Sequence, residues 1–302
     1  MKVLITGATG FIGSRLCKFL LNQGHSIRIV SRKPNNKYED VVVCDLEAEE
    51  LELSSFEGIS QVFHLAAFTH DIDYSKKNEH RYRKINVDAT LNIAKSAIEA
   101  GIKDFIYVSS VKAGSANKDD NLLSTIDKPQ GVYGQTKREA EIKLLELVKE
   151  TSMRLEILRP ALVYGLGVKG NIAAMMNGVS QGWFPPLPDT KNIRSMIHVD
   201  DLIAALILIT RHPNPEKHIY IATDGVNYSS SAIYETLCNL LGKKIPKWRL
   251  PELVFTLTAL LHPSLKYRVK KLLGDEFYNS SIIQSIGFKP KFTLKDLNEE
   301  AF

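Results

Sequence analysis

A phenol and an ammonium four residues apart, Tyr133 and Lys137, form the sharpest chemical pair in this sequence. They stand in the run Tyr133-Gly134-Gln135-Thr136-Lys137, which opens an amphipathic stretch. Residues four apart share one face of a helix. A lysine ammonium beside a phenol stabilises the phenolate and draws its pKa towards working pH, which makes a reversible proton donor and acceptor. Ser110, closing Tyr107-Val108-Ser109-Ser110, adds a hydroxyl that can donate to a substrate oxygen. Such a pair arises easily by chance; a second motif gives it weight. Thr6-Gly7-Ala8-Thr9-Gly10-Phe11-Ile12-Gly13 ends a short β-branched run and opens an amphipathic one. Glycines at 7, 10 and 13 permit a tight turn, close approach of backbone to a pyrophosphate, and close helix–strand packing. The helix that follows would offer its first N–H groups to the phosphates. The spacing predicts a dinucleotide site.

The second β-like run ends at Ser31-Arg32-Lys33. A carboxylate there would bind the ribose 2′-hydroxyl of NAD, whereas an arginine accommodates the 2′-phosphate of NADP. Arg32 with no carboxylate favours NADP(H), with NAD(H) left open. Asp45-Leu46, after a third run, suits the adenine amino group. Leu65, Ala66 and Ala67, after a fourth, are small enough for backbone to approach a cofactor.

The elements that must position these residues alternate along the chain. Aliphatic runs at Val3–Thr6, Ser26–Ser31, Val41–Cys44, Gln61–Leu65, Asp104–Ser109 and Arg154–Leu158 alternate with amphipathic stretches at Phe11–Gln23, Tyr82–Ala100 and Tyr133–Glu150. This pattern predicts an α/β fold, a Rossmann-type doubly wound parallel sheet with right-handed crossovers. Regularity breaks after Arg159-Pro160. Residues 1–160, with about 196–224 returning to them, form the expected NAD(P)-binding domain. Residues 161–195 and 225–302 form a smaller C-terminal α/β substrate-binding cap.

Strung together, TGATGFIG (6–13), DL (45–46), HLAA (64–67), INVDATLNIAKSA (85–97), FIYVSS (105–110), YGQTK (133–137), LRPALVYG (158–165) and RSMIHVDD (194–201) resemble the extended short-chain dehydrogenase/reductases, the NAD(P)-dependent nucleotide-sugar epimerase/dehydratase superfamily. The resemblance runs nearly end to end. It implies that Ser110, Tyr133 and Lys137 are the catalytic set, that Asn86 lines the cofactor site, and that Pro160 precedes backbone holding the nicotinamide carboxamide. FIYVSSVKAGS (105–115) and LVYGLGVKGN (162–171) look closest to enzymes of UDP-linked N-acetylhexosamines, the 4-keto reductases and UDP-glucose 4-epimerase-like proteins. There Asn171 and Arg194 fall where relatives contact the nucleotide diphosphate, and a guanidinium fork suits phosphate oxygens. Homodimerisation through Tyr82–Ala100 and Tyr133–Glu150 is a further family expectation.

The resemblance also sorts the reactions. Relatives that dehydrate carry Thr-Asp-Glu at the serine position, and decarboxylating ones place a glutamate just after it. Ser110-Val111-Lys112 has neither. Reduction and epimerisation at C4 remain. The basic end of the second run tips the reading towards an NADP(H)-dependent reductase, with an NAD-dependent 4-epimerase as the alternative. A small-ketone reductase and a non-enzymatic NADP-sensing protein are weaker readings.

Composition excludes other classes. The chain has 302 residues, 44% hydrophobic and 24% charged, the profile of a globular protein. Thirty-nine basic against 34 acidic residues give a formal +5, too little to indicate a nucleic-acid partner. Three scattered cysteines fit no disulfide framework or metal spacing, which suggests a reducing compartment. Without a visible signal peptide or spanning stretch, a cytoplasmic location is expected. His198 is read as structural, with Asp200 capping a helix from Asp201 to Arg211. His70, in a polar loop, is a possible substrate contact. Leu253–Leu261 is read as a buried or subunit-facing helix, and the basic run Lys266–Lys271 as a pocket rim or plain surface.

Overall fold

The computed structural model of the protein describes residues 1–69, 76–114, 128–212, 218–261 and 263–297. The polar loop with His70, Asp71, Asp73 and Tyr74, and Ser115, lie outside the described residues. The chain forms two compact units, one of Met1–Pro160, Leu202–Ala222 and Asn279–Phe288, the other of Ala161–Asp201, Thr223–Tyr278 and Lys289–Phe302.

In chain order the elements begin β1 (Lys2–Thr6), α1 (Phe11–Asn22), β2 (Ser26–Ser31), β3 (Val41–Val43), β4 (Gln61–His64), α2 (Lys76–Arg83) and α3 (Thr90–Glu99). There follow β5 (Asp104–Val108), α4 (Gly131–Val148), β6 (Arg154–Pro160), β7 (Leu162–Tyr164), α5 (Asn171–Ser180), β8 (Arg194–His198) and α6 (Val199–Arg211). The chain closes with β9 (Ile219–Ala222), β10 (Asn227–Tyr228), α7 (Ser230–Leu240), α8 (Glu252–Leu261), α9 (Pro263–Leu273) and α10 (Ser281–Ser285).

The first unit is built on a seven-stranded parallel sheet in the order β3-β2-β1-β4-β5-β6-β9. Strands covered on both faces read as continuous apolar runs, and Lys2-Val3-Leu4-Ile5-Thr6 is one, buried from its second residue onward. One face packs Phe105, Tyr107, Leu155 and Ile157 against Ala140 and Leu144 of α4 and Ile93, Ala94 and Ala97 of α3. Strand order reverses between β1 and β4. Such a switch point opens a crevice beyond the carboxyl ends of the strands, where ligands of this architecture sit. The stretch expected as one helix from Tyr82 to Ala100 is divided: a π-helical turn, Lys84–Ala89, separates α2 from α3 and buries Asn86, Val87 and Ala89.

The second unit carries a three-stranded sheet, β10-β8-β7, with β7 parallel and β10 antiparallel to β8. Its core joins Val179, Leu187, Tyr234 and Cys238, with Phe184, Phe255 and Leu272 against them. Asp224 is its polar centre: the hydroxyls of Tyr164 and Tyr228 donate to the same carboxylate oxygen at 2.9 and 2.8 Å.

Three sequence expectations shift here. The chain was expected to return to the NAD(P)-binding domain at about 196, but β7, α5 and β8 make a parallel crossover unit, so β8 pairs with β7 and the chain returns to the first unit only at Leu202. Asn279–Phe288 also belongs to the first unit. Helix α6 starts at Val199, and its cap is His198, whose Nδ1 accepts the Asp200 backbone N–H at 3.3 Å. Helix α8, expected as a buried or subunit-facing helix, touches the unit's core through Phe255 and leaves Leu253, Leu257 and Leu260 exposed.

Candidate active site

The turn between β1 and α1 is shaped by what its glycines exclude. Gly7 has φ +71°, and a Cβ there would lie 2.7 Å from the Ala66 nitrogen. A Cβ on Gly13 would lie 2.2 Å from the Gly7 carbonyl oxygen. The β1 turn, the chain after β4 and α1 therefore meet at backbone distance, as a pyrophosphate cradle requires. Thr9, Gly10, Phe11 and Ile12 complete the turn. Helix α1 has no side-chain cap and no acidic residue in its first turn, so its positive end is not offset. These features fit a dinucleotide.

The other positions expected to hold a cofactor end or follow strands of the same unit. Arg32 is exposed one residue beyond β2. Asp45 follows β3, half-buried, with its carboxylate accepting from the Glu47 N–H at 3.1 Å; Leu46 is half-buried beside it. Leu65, Ala66 and Ala67 are half-buried after β4. Pro160 ends β6, in register with Ala222 of β9.

Ser110 leaves β5 and caps a short 3₁₀ turn, Val111–Ala113, its Oγ accepting from the Lys112 N–H at 3.2 Å. The acceptor role leaves the hydroxyl its own proton to donate. Helix α4 docks on this turn: the Gln130 N–H donates to the Lys112 carbonyl at 2.8 Å, and a Cβ on Gly134 would lie 2.1 Å from that oxygen. Helix start and serine turn are thus locked face to face, so Tyr133 and Lys137 stand on a helix packed against the turn that Ser110 caps.

Lys137 is 1% exposed; its Nζ donates to the Val108 carbonyl at 2.9 Å and sits 4.5 Å over the Tyr107 ring. Burial draws its pKa down to about 7, while Glu141, one turn along α4, pulls it upward. Glu141 is itself fully buried in a bidentate pair with Arg159 of β6, at 2.9 and 2.6 Å. The remaining arm of Arg159 donates to the Gly114 carbonyl at 2.7 Å, at the end of the serine turn. One guanidinium therefore ties helix, strand and turn together. Tyr133 is half-buried, and the Lys112 ammonium lies 5.9 Å over its ring.

Behind the site runs a buried polar chain. Thr90 Oγ1 donates to the Asn86 carbonyl at 2.9 Å, so it accepts from His64 Nε2–H, also at 2.9 Å. His64 Nδ1 is then the acceptor and takes the Thr6 hydroxyl proton at 2.6 Å, while Thr6 Oγ1 accepts the Ala66 N–H at 3.2 Å. Burial, then the Lys137 charge, hold the imidazole neutral with a pKa of about 3. The Asn86 amide clasps both backbone groups of Phe68 and donates to Thr136 Oγ1 at 3.2 Å; Thr136 in turn donates to the Tyr133 carbonyl at 3.0 Å. The chain links the end of β1 to α4 through Thr6, His64, Thr90 and Thr136. None of these four was singled out in the sequence for this role, nor were Glu141 and Arg159. A histidine inside an apolar run at the end of β4 was the available signal.

Asn171 and Arg194 belong to the second unit. Asn171 is exposed as the first residue of α5. Arg194 is buried; its guanidinium donates to Glu276 at 2.8 Å and to the Lys271 carbonyl.

Comparison with known proteins follows the same lines. The profile of the NAD dependent epimerase/dehydratase family matches residues 3–222. A UDP-glucose 4-epimerase of Vibrio cholerae is 32% identical, over 98% of this chain and 92% of the relative. Among solved structures, the UDP-glucose 4-epimerase of Thermotoga maritima with UDP-glucose superposes with a TM-score of 0.79 at 22% identity, covering 100% of this chain and 97% of that one. MoeE5 in complex with UDP-glucose and NAD gives 0.77 at 24% identity, covering 98% and 95%.

Proposed function

Because this chain belongs to the NAD dependent epimerase/dehydratase family, we propose that it is an NAD(P)-dependent oxidoreductase acting at C4 of a UDP-linked hexose or N-acetylhexosamine. The observation that carries this reading is the locking of α4 onto the Ser110 turn, together with a glycine cradle that no side chain could share. Gly7–Gly13 would hold the pyrophosphate, Asp45 and Leu46 the adenine, and Leu65–Ala67, Asn86 and the backbone after Pro160 the remainder. A bound nicotinamide supplies the hydride acceptor and donor that protein side chains lack.

The side chains then handle the proton. Tyr133 Oη takes the proton of the C4 hydroxyl as that carbon becomes a carbonyl, and returns it to the same oxygen. Ser110 Oγ–H donates to that oxygen throughout and stabilises the charge that gathers on it. Lys137, as ammonium, favours the phenolate of Tyr133. The balance between its burial and Glu141 puts that ammonium on the edge of titration near neutral pH. Asn171 and Arg194 are proposed for the diphosphate. Arg194 would act with donors beyond the two already given to Glu276 and Lys271.

The similarity to a UDP-glucose 4-epimerase supports 4-epimerisation, in which C4 is oxidised, the 4-keto sugar turns over, and the same residues reduce C4 from its opposite face. Exposed Arg32, in the run Ser31-Arg32-Lys33-Pro34 that holds no carboxylate, supports a second reading: NADPH-dependent reduction of a UDP-4-keto-6-deoxy-N-acetylhexosamine. Two incubations separate them. UDP-glucose or UDP-N-acetylglucosamine with NAD yields the C4 epimer without net cofactor change if the first holds. Consumption of NADPH with the 4-keto sugar marks the second. Tyr133→Phe should abolish either turnover while nucleotide binding persists. Turnover in neither incubation, or substantial activity in the variant, would overturn the assignment.

A further inference from the structure

Helix α8 is nearly all apolar, Leu-Val-Phe-Thr-Leu-Thr-Ala-Leu-Leu after Glu252, yet it is not buried. Leu253, Leu257 and Leu260 are 66%, 55% and 76% exposed. Their spacing of four and three residues puts them on one stripe. Trp248, just before the helix, is 62% exposed. Apolar helices are normally covered, and contiguous exposed stripes mark interaction surfaces.

Charge identifies the partner. Before the helix stand Lys243, Lys244, Lys247 and Arg249; after it, on α9 packed against it, stand Lys266, Arg268, Lys270 and Lys271. Glu252 is the one acidic residue in residues 243–274, so this segment carries a formal +7 within a chain whose total is +5. The rest of the molecule is net negative. A second copy docking there by two-fold symmetry would set this patch against itself, basic on basic. A nucleic acid would leave the leucine stripe in water.

We propose that α8 and its basic flanks form a peripheral docking surface for an anionic phospholipid bilayer. Leucines enter the acyl boundary, lysines meet the headgroups, and Trp248 sits at the interface level. At ten residues, or about 15 Å, the helix lies along the surface and does not span it.

Flotation of the full chain with vesicles tests this. With phosphatidylglycerol/phosphatidylethanolamine vesicles the protein floats; with phosphatidylcholine alone, or in high salt, recovery falls about tenfold or more. Leu253→Ser/Leu257→Ser/Leu260→Ser and, separately, Lys266→Glu/Lys270→Glu each abolish flotation with unchanged circular dichroism and elution volume. Wild type that ignores anionic vesicles overturns the proposal, as does a triple variant that floats as before. A triple variant that changes elution volume from dimer to monomer also overturns it, since the stripe is then a subunit contact.

Discussion

Glu141 makes no contact with a reacting atom in the proposed chemistry, yet it acts on Lys137 in two ways. It raises the lysine pKa against burial, and through Arg159 it anchors the helix that carries it. Glu141→Gln removes the negative charge and keeps the shape. The Lys137 pKa then falls further, so the alkaline limb of a kcat/KM pH profile moves to lower pH. Leaving Arg159 as an uncompensated buried charge costs about 3–5 kcal/mol of stability, measurable by urea unfolding. Arg159→Met in the same chain removes the stranded charge and recovers much of that loss, while the pH shift stays. A role limited to folding would move stability alone.

At the level of elements, the proposed catalysis depends on how closely α4 approaches the serine turn. Gly134→Ala would place a methyl 2.1 Å from the Lys112 carbonyl, a contact that backbone on both sides must relieve by separating. Displacement of about 1 Å costs on the order of 10²-fold in rate. The expected result is a kcat loss of that order with nucleotide affinity little changed, since the glycine cradle is built from the β1 turn, α1 and the chain after β4, not from α4. Thr90→Val interrupts the chain from His64 to Asn86 at its middle and strands a buried imidazole N–H. Its cost of about 1–3 kcal/mol should appear as a lowered thermal midpoint. The glycine cradle, the Tyr133/Lys137 spacing and the six parallel strands were legible in the sequence because each is a local pattern of period, turn or spacing. Strand β2 begins and ends where its apolar run does. The Thr6–His64–Thr90–Asn86 chain and the Glu141–Arg159 pair were not, because their members lie on separate segments and meet only once the sheet has formed. The break between α2 and α3 was hidden for a related reason: a π turn keeps the apolar pattern while adding a residue to it.

For the molecule as a whole, two buried groups bound the pH range of stability. Burial pushes Glu156 of β6 up to about 8, from an ordinary 4.5, despite Arg154 and the Tyr220 hydroxyl. The folded state keeps this proton and the unfolded state releases it, so stability is lost as pH rises from about 4.5 through about 8. His64 works oppositely: only the unfolded chain takes its proton readily, and stability is lost as pH falls from 6.5 to about 3. Glu156→Gln, which cannot titrate, should flatten the alkaline slope and leave the acid one unchanged, as read from urea midpoints across that range.

The interleaving of the two units has a consequence for how the chain is made. Strand β6 is complete at Pro160, but β9, which covers its outer edge, begins only at Ile219. At about 5–20 residues per second on the ribosome, some sixty residues take about 3–12 s. Throughout that interval the first unit presents an unpaired, apolar strand edge, the kind of surface that recruits other strands. The nascent protein is therefore most vulnerable to aggregation just when the residues proposed for nucleotide binding and proton transfer have already been synthesised. Early nucleotide capture would shorten no part of that wait; only completion of β9 closes the edge.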